Sequence, residues 1–130
     1  VGTALGGSIP LLDFVPEFGW EPHPEGLSKV LAIADSYDLP VYVTENGTPY
    51  VETQGEEVLD AHLSQMMDAI DAGVDVRGYH YWSFVDNYEW NHGLDMVFGL
   101  YALDIDTKER VQRPVAARFS EVIAAGGLDN

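Results

Sequence analysis

The sequence predicts an α/β fold built on parallel strands, and three observations carry that expectation. Apolar periodicity alternates helix, strand, helix, strand, helix along the 130 residues, the rhythm of β-α-β units. Both strand-like runs are short, branched and aromatic, and they read as strands covered on each face. Polar and aromatic residues gather just past the C-terminal end of each run, where α/β barrels build their active sites.

Each element has its own signal. Residues 1–22, rich in Gly and Pro and passing through Pro10, Pro16 and Pro22, read as an irregular approach chain. The first helix opens at Pro24, a residue suited to the first helical position. It carries Leu27, Val30, Leu31, Ala34 and Tyr37 at spacings of three and four, and it ends before Pro40. The run from Leu39 to Thr44 is the first strand, stopped by the turn signal Asn46-Gly47, with Glu45 at its end. A second helix follows the loop at Gln54-Gly55. Leu59, Leu63, Met66, Met67 and Ile70 form its stripe and Gly73 its stop. Val74 to Phe84 reads as the second strand and Asp86 to Gly93 as a loop. Phe98 to Leu103 forms a short extra strand turning at Asp104 to Lys108. Pro114 then opens a last helix that buries Val115, Phe119, Val122 and Ile123 and closes at Gly126-Gly127. Two parallel strands cannot complete a sheet covered on both faces, so further strands and helices belong beside them.

Composition narrows the possibilities. The length suits one domain with a modest core, and 46% hydrophobic residues place the chain among globular proteins. With 6 basic and 22 acidic residues the net charge is −16, which excludes binding to nucleic acid or an anionic membrane through a basic surface. Asp38, Glu56, Glu57, Asp60, Asp68, Asp71, Asp104, Asp106 and Asp129 are scattered, as on a solvated face; such an acid excess is also a device of halophilic proteins. No apolar run approaches the ~20 residues of a membrane helix, and the first residues lack the pattern of a signal peptide, so a cytoplasmic chain is expected. Without cysteine there is no disulfide and no thiolate chemistry.

Among candidate reagents, Glu45 stands at a strand end, where carboxylates act as catalysts but also cap turns and pair with cations. The cluster Trp82-Ser83-Phe84-Val85-Asp86-Asn87-Tyr88-Glu89-Trp90 lies at the end of the next strand, on the same rim. Indoles beside carboxylates suit a sugar, whose apolar face packs on an aromatic ring while its hydroxyls find acceptors; packing in a Trp-rich core is the plainer alternative. No metal or cofactor is expected. The segments from Asp86 and Asp104 lack the spacing of a calcium loop, and His23, His62, His80 and His92 lack that of a zinc site. His80, inside a strand, reads as a satisfied core histidine, and Gly126-Gly127 follows a helix and so cradles no phosphate.

Tyr42-Val43-Thr44-Glu45-Asn46-Gly47 and the Trp82 to Trp90 segment resemble the two C-terminal signatures of family 1 glycoside hydrolases. Gly19-Trp20-Glu21-Pro22, Pro24-Glu25-Gly26-Leu27 and Phe98-Gly99 are similar to flanking segments of the same family. The resemblance implies the last two βα units of a (β/α)8 TIM barrel, incomplete as a barrel alone. Residues 23–73 would form the strand-7 unit with its flanking helices, and 74–130 the strand-8 unit with the aromatic loop and last helix; the whole of 1–130 would be the C-terminal portion of one catalytic domain. It also implies a retaining β-glycosidase acting on a β-glycoside or oligosaccharide, with Glu45 as nucleophile. Trp82 would be the platform under the sugar, Glu89 the acceptor for its distal hydroxyls, Trp90 an added indole donor and Phe98 a wall of the glycone site; Met96, also placed among the substrate-binding residues, sits where archaeal-type members often carry Met.

The family's general acid, in an Asn-Glu-Pro motif on the fourth strand, has no counterpart here, because that tripeptide does not occur in the sequence. Retaining chemistry needs two carboxyl groups about 5 to 5.5 Å apart, so the chain requires an upstream barrel segment as partner. Val97 stands where many members carry Arg, and Glu56 to Asp60 lacks a commonly seen Arg; both departures bear on substrate positioning. The rival expectations are a non-catalytic remnant that binds sugar or protein, and an acidic interaction module.

Overall fold

A computed structural model describes residues 21–128; the approach chain expected over 1–22 therefore lies almost wholly outside the described residues. The element order is α1 (Pro24–Asp35), β1 (Val41–Asn46), α2 (Gly55–Asp71), β2 (Val76–Tyr81), β3 (Tyr101–Leu103), β4 (Arg110–Gln112) and α3 (Pro114–Ala125), with a 3₁₀ turn at Trp90–His92 before β3. Pro24 and Pro114 open α1 and α3, where a missing N–H costs no hydrogen bond. Gly126, at φ 77°, closes α3 in the left-handed conformation glycine adopts without strain. The first helix is shorter than its apolar pattern suggests, because Ser36 and Tyr37 fall into turns and Asp38 takes a positive φ before β1.

β1 and β2 pair in parallel, with Val41 opposite Val76, Tyr42 opposite Gly78, Val43 opposite Tyr79 and Asn46 opposite Tyr81, and with irregularities after Val41 and Val43. One face of the pair is covered. Leu31 of α1, Val43, Ala69 of α2 and Val74 form one buried cluster, with Val41, Val76 and Tyr79 packed against it. A second cluster joins Val51, Leu59, Leu63, Leu100, Val115, Ala116 and Val122, and Tyr79 and Tyr81 meet the Phe119 ring at centroid distances of 5.9 and 6.1 Å. Gly55 lets α2 approach α3, since a Cβ there would stand 3.2 Å from that of Val115.

The expectation of strands buried on both faces is corrected here. Tyr42, Thr44 and His80 are exposed, because helices lie on only one side of the pair and no other strand flanks it among the described residues. His80 is thus no core histidine, although its Nδ1 lies 3.0 Å from the Val43 carbonyl. Four residues expected in helix cores, Val30, Tyr37, Ile70 and Ile123, are also exposed; Ile70 and Ile123 line an open groove between α2 and α3. The extra strand is also shorter. Residues 98–100 instead cross over Ser83, with the Leu100 N–H donating to the Ser83 carbonyl at 2.8 Å, and only Tyr101–Leu103 pair with Arg110–Gln112 as a hairpin. Asp104 turns that hairpin by accepting the N–H groups of Asp106 and Thr107.

Candidate active site

The ends of β1 and β2 meet at Gly47. A Cβ on this residue would lie 1.8 Å from the Trp82 carbonyl oxygen, so only glycine lets the loop leaving β1 pass over the end of β2. The Trp82 N–H donates to the Asn46 carbonyl at 2.9 Å, and the Tyr79 hydroxyl donates to Asn46 Oδ1 at 2.7 Å, which locks the strand end carrying Glu45. The Trp82–Ser83 peptide bond is cis.

A pocket of about 470 Å³ opens at this rim. Glu45, Trp82, Glu89, Trp90, Met96 and Phe98 all line it, together with Asn46, Gly47, Asn91 and His92. The sequence thus brought together residues that the chain does gather in one cavity. Their environments differ. Glu45 is exposed at the mouth, whereas Glu89 is buried and accepts a hydrogen bond from the Trp82 indole Nε1–H at 3.1 Å. Met96 and Phe98 form the buried floor, and Trp90 stands 85% exposed on the 3₁₀ turn at φ 49°. Chemically, the cavity offers one free carboxylate at a strand end, one carboxylate oriented by an indole, and apolar aromatic surface. That combination can hold a polyhydroxylated ring and present a nucleophile to it.

The aromatic loop has internal braces. Asn87 Nδ2 donates to Ser83 Oγ at 3.1 Å, and that hydroxyl donates to the Val85 carbonyl at 2.9 Å. The Asp86 carboxylate accepts the Gly99 N–H at 2.9 Å. Gly99 itself admits no side chain, since a Cβ there would lie 2.4 Å from the Asp86 nitrogen and the Tyr101 oxygen. Beneath the loop lies a residue that sequence reasoning missed, Arg113, whose guanidinium donates to both oxygens of Asp86 at 2.8 and 2.9 Å. Burial works against its charge, yet the hydrogen bonds it donates to Asp86 and Glu52, together with their negative charges, outweigh it and raise the pKa above its ordinary value. Burial also pushes the neighbouring Tyr81 hydroxyl up to about 12, partly offset by the Arg113 charge. Nothing local in the sequence marks Arg113, because the partners it meets lie 27 and 61 residues away. Among the described residues no group of three metal-ligating side chains is present.

Parallel strands with a pocket at their C-terminal ends place the chain in the α/β class whose sites sit on that rim. Residues 14–128 match Glycosyl hydrolase family 1, and the chain belongs to that family. It is 44% identical over 114 residues to the beta-galactosidase of Sulfolobus acidocaldarius, covering 86% of this chain and 23% of that relative. It is 34% identical over 124 residues to beta-glucosidase A of Thermotoga maritima, covering 86% of this chain and 28% of that protein. Among solved structures, the beta-glycosidase from Pyrococcus horikoshii superposes with a TM-score of 0.82 at 40% identity, covering 88% of this chain and 27% of the other. The chain therefore spans about a quarter of the length of these relatives.

Proposed function

We propose that the chain forms the nucleophile side of a retaining β-glycosidase site, working with a barrel segment that supplies the general acid. The observation that carries this reading is the convergence of Glu45, Trp82, Glu89, Trp90, Met96 and Phe98 on one pocket at the strand ends. In the reaction the Glu45 carboxylate attacks the anomeric carbon as the glycosidic bond breaks. The leaving oxygen takes a proton from an acid outside this chain, and water later releases the sugar from Glu45. Trp82 packs beneath the ring, and Glu89, held by the Trp82 indole, accepts hydrogen bonds from hydroxyls remote from the anomeric carbon. Residues 23–73 and 74–130 act as the seventh and eighth βα units, and Tyr42, Thr44 and His80 on the bare sheet face meet the rest of the barrel. The substrate class is a β-glucoside or β-galactoside, as the names of the relatives suggest.

The test is turnover of an aryl β-glycoside by the chain complemented with an upstream barrel segment. Glu45→Gln should abolish turnover. Glu89→Gln should keep a measurable rate while losing about 1.5 to 3 kcal/mol of transition-state binding. A Glu45→Gln protein that turns over at the wild-type rate contradicts the assignment. A complemented chain that binds the glycoside but never hydrolyses it contradicts the catalytic reading.

A further inference from the structure

Three separate stretches carry the pocket: the loop leaving β1 after Glu45, the aromatic segment from Trp82 to Trp90, and the crossing chain at Phe98-Gly99. Past the end of β1 and apart from the short 3₁₀ turn at Trp90–His92, these stretches are irregular, so side chains on them need an external brace to be held in place. All three converge on one guanidinium. Arg113 Nη1 donates to Asp86 Oδ1 and to the Gly99 carbonyl, each at 2.8 Å. Its Nη2 donates to Asp86 Oδ2 and to Glu52 Oε1, each at 2.9 Å, and Nε reaches Glu52 Oε1 at 3.3 Å. Every N–H of the fork is thereby used.

The arms are unequal. The Arg113 side chain is 7% exposed and Asp86 12%, whereas Glu52 is 66% exposed. The Asp86 arm is therefore little screened by solvent and sets the geometry, while the Glu52 arm ties the β1 loop more loosely. Asp86 lies between Trp82 and Glu89 in sequence, and those two residues meet through the indole N–H at 3.1 Å. Fixing Asp86 shortens the free loop on both sides of that contact. Arg113 also donates its backbone N–H to the Leu100 carbonyl at 3.0 Å, so its own position is set by the segment it braces.

We propose that Arg113, through its forked bond to Asp86, is the positioning residue that holds the Trp82–Glu89 pair in sugar-binding geometry. This rests on the glycone-site reading of the pocket. Arg113 touches no sugar; it acts through Asp86. A lysine keeps the charge but offers three donors on one atom and cannot hold two carboxylate oxygens and a carbonyl in one plane.

The experiment compares the wild-type chain with Arg113→Lys, Asp86→Asn and Arg118→Lys, each complemented with an upstream barrel segment, following the Trp82 indole N–H resonance and its exchange with water, without ligand and during titration with glucoimidazole. Arg118 serves as the control, because it sits on α3, which Arg113 immediately precedes, and pairs with Asp60 and Glu121 instead of the loop. Arg113→Lys and Asp86→Asn should each shift the free Trp82 resonance, speed its exchange about tenfold and weaken glucoimidazole binding about tenfold. Arg118→Lys should leave all three unchanged. If Arg113→Lys unfolds the chain, Asp86→Asn reads the same contact from the loop side. A ligand-free Trp82 resonance and exchange rate that match the wild type in both variants overturn the inference. A wild-type chain whose Trp82 indole is protected but does not respond to glucoimidazole overturns the glycone reading instead, and the ligand-free spectra still decide the role of Arg113.

Discussion

The two faces of the β1–β2 pair form a sharp contrast. On one side Val43, Tyr79 and Tyr81 are packed under α1, α2 and α3; on the other Tyr42, Thr44 and His80 stand open. The pocket rim lies at the end of both faces, and its braces, from Asn46 to Arg113, come from within the chain. The difference teaches that the site's local geometry does not depend on the bare face: the loops are held by the covered side and their own hydrogen bonds.

The largest expected effect breaks the contrast directly. Leu59→Ala, in the covered core, should cost about 2–5 kcal/mol, because the cavity between α2 and α3 cannot collapse fully. Tyr42→Ser on the bare face should change stability by no more than about 0.5 kcal/mol. Chemical denaturation of the two variants measures both, and equal losses would show that the open face is already covered in the isolated chain.

Alkaline titration sharpens the same contrast. Burial raises the pKa of Tyr79 above the ordinary tyrosine range and that of Tyr81 to about 12, so the fold prefers both hydroxyls neutral. Their stabilisation is complete below the unfolded value near 10 and is lost as pH rises through it toward the folded values, on the order of 2 kcal/mol for Tyr81. Circular dichroism and tyrosinate absorbance should therefore change together. Ionisation of every tyrosine near pH 10 with the fold retained would contradict the packing.

Much of the molecule was legible in the sequence. Pro24, Gly73, Pro114 and Gly126 bracket helices where they were expected, and the hairpin turns at Asp104. Burial was less legible, since Val30, Tyr37, Ile70 and Ile123 carry a helical apolar pattern and yet stay exposed. Amphipathic spacing encodes a face for contact, not the partner that fills it. The six pocket residues fall in two short motifs and the stretch after them, which is why they could be found together. Arg113 could not be, because its partners Asp86 and Glu52 lie 27 and 61 residues away and ion pairs leave no periodicity.

The smallest expected effect concerns salt. The halophilic reading of the −16 charge rests on composition, and the relatives named above lend it no support. If it holds, screening above ~1 M potassium chloride, where the Debye length is ~3 Å, should increase helical content in the isolated chain. A flat circular dichroism signal from dilute buffer to multimolar salt would remove it.

The central claim is that the open carboxylate at the end of β1, and not the indole-bound one in the loop beyond β2, carries the sugar. Trapping the complemented chain with a 2-fluoro β-glycoside and mapping the labelled peptide by mass spectrometry tests it most directly. The adduct should fall on Glu45 and vanish in Glu45→Gln. An adduct on Glu89, or undiminished labelling of Glu45→Gln, would contradict the account.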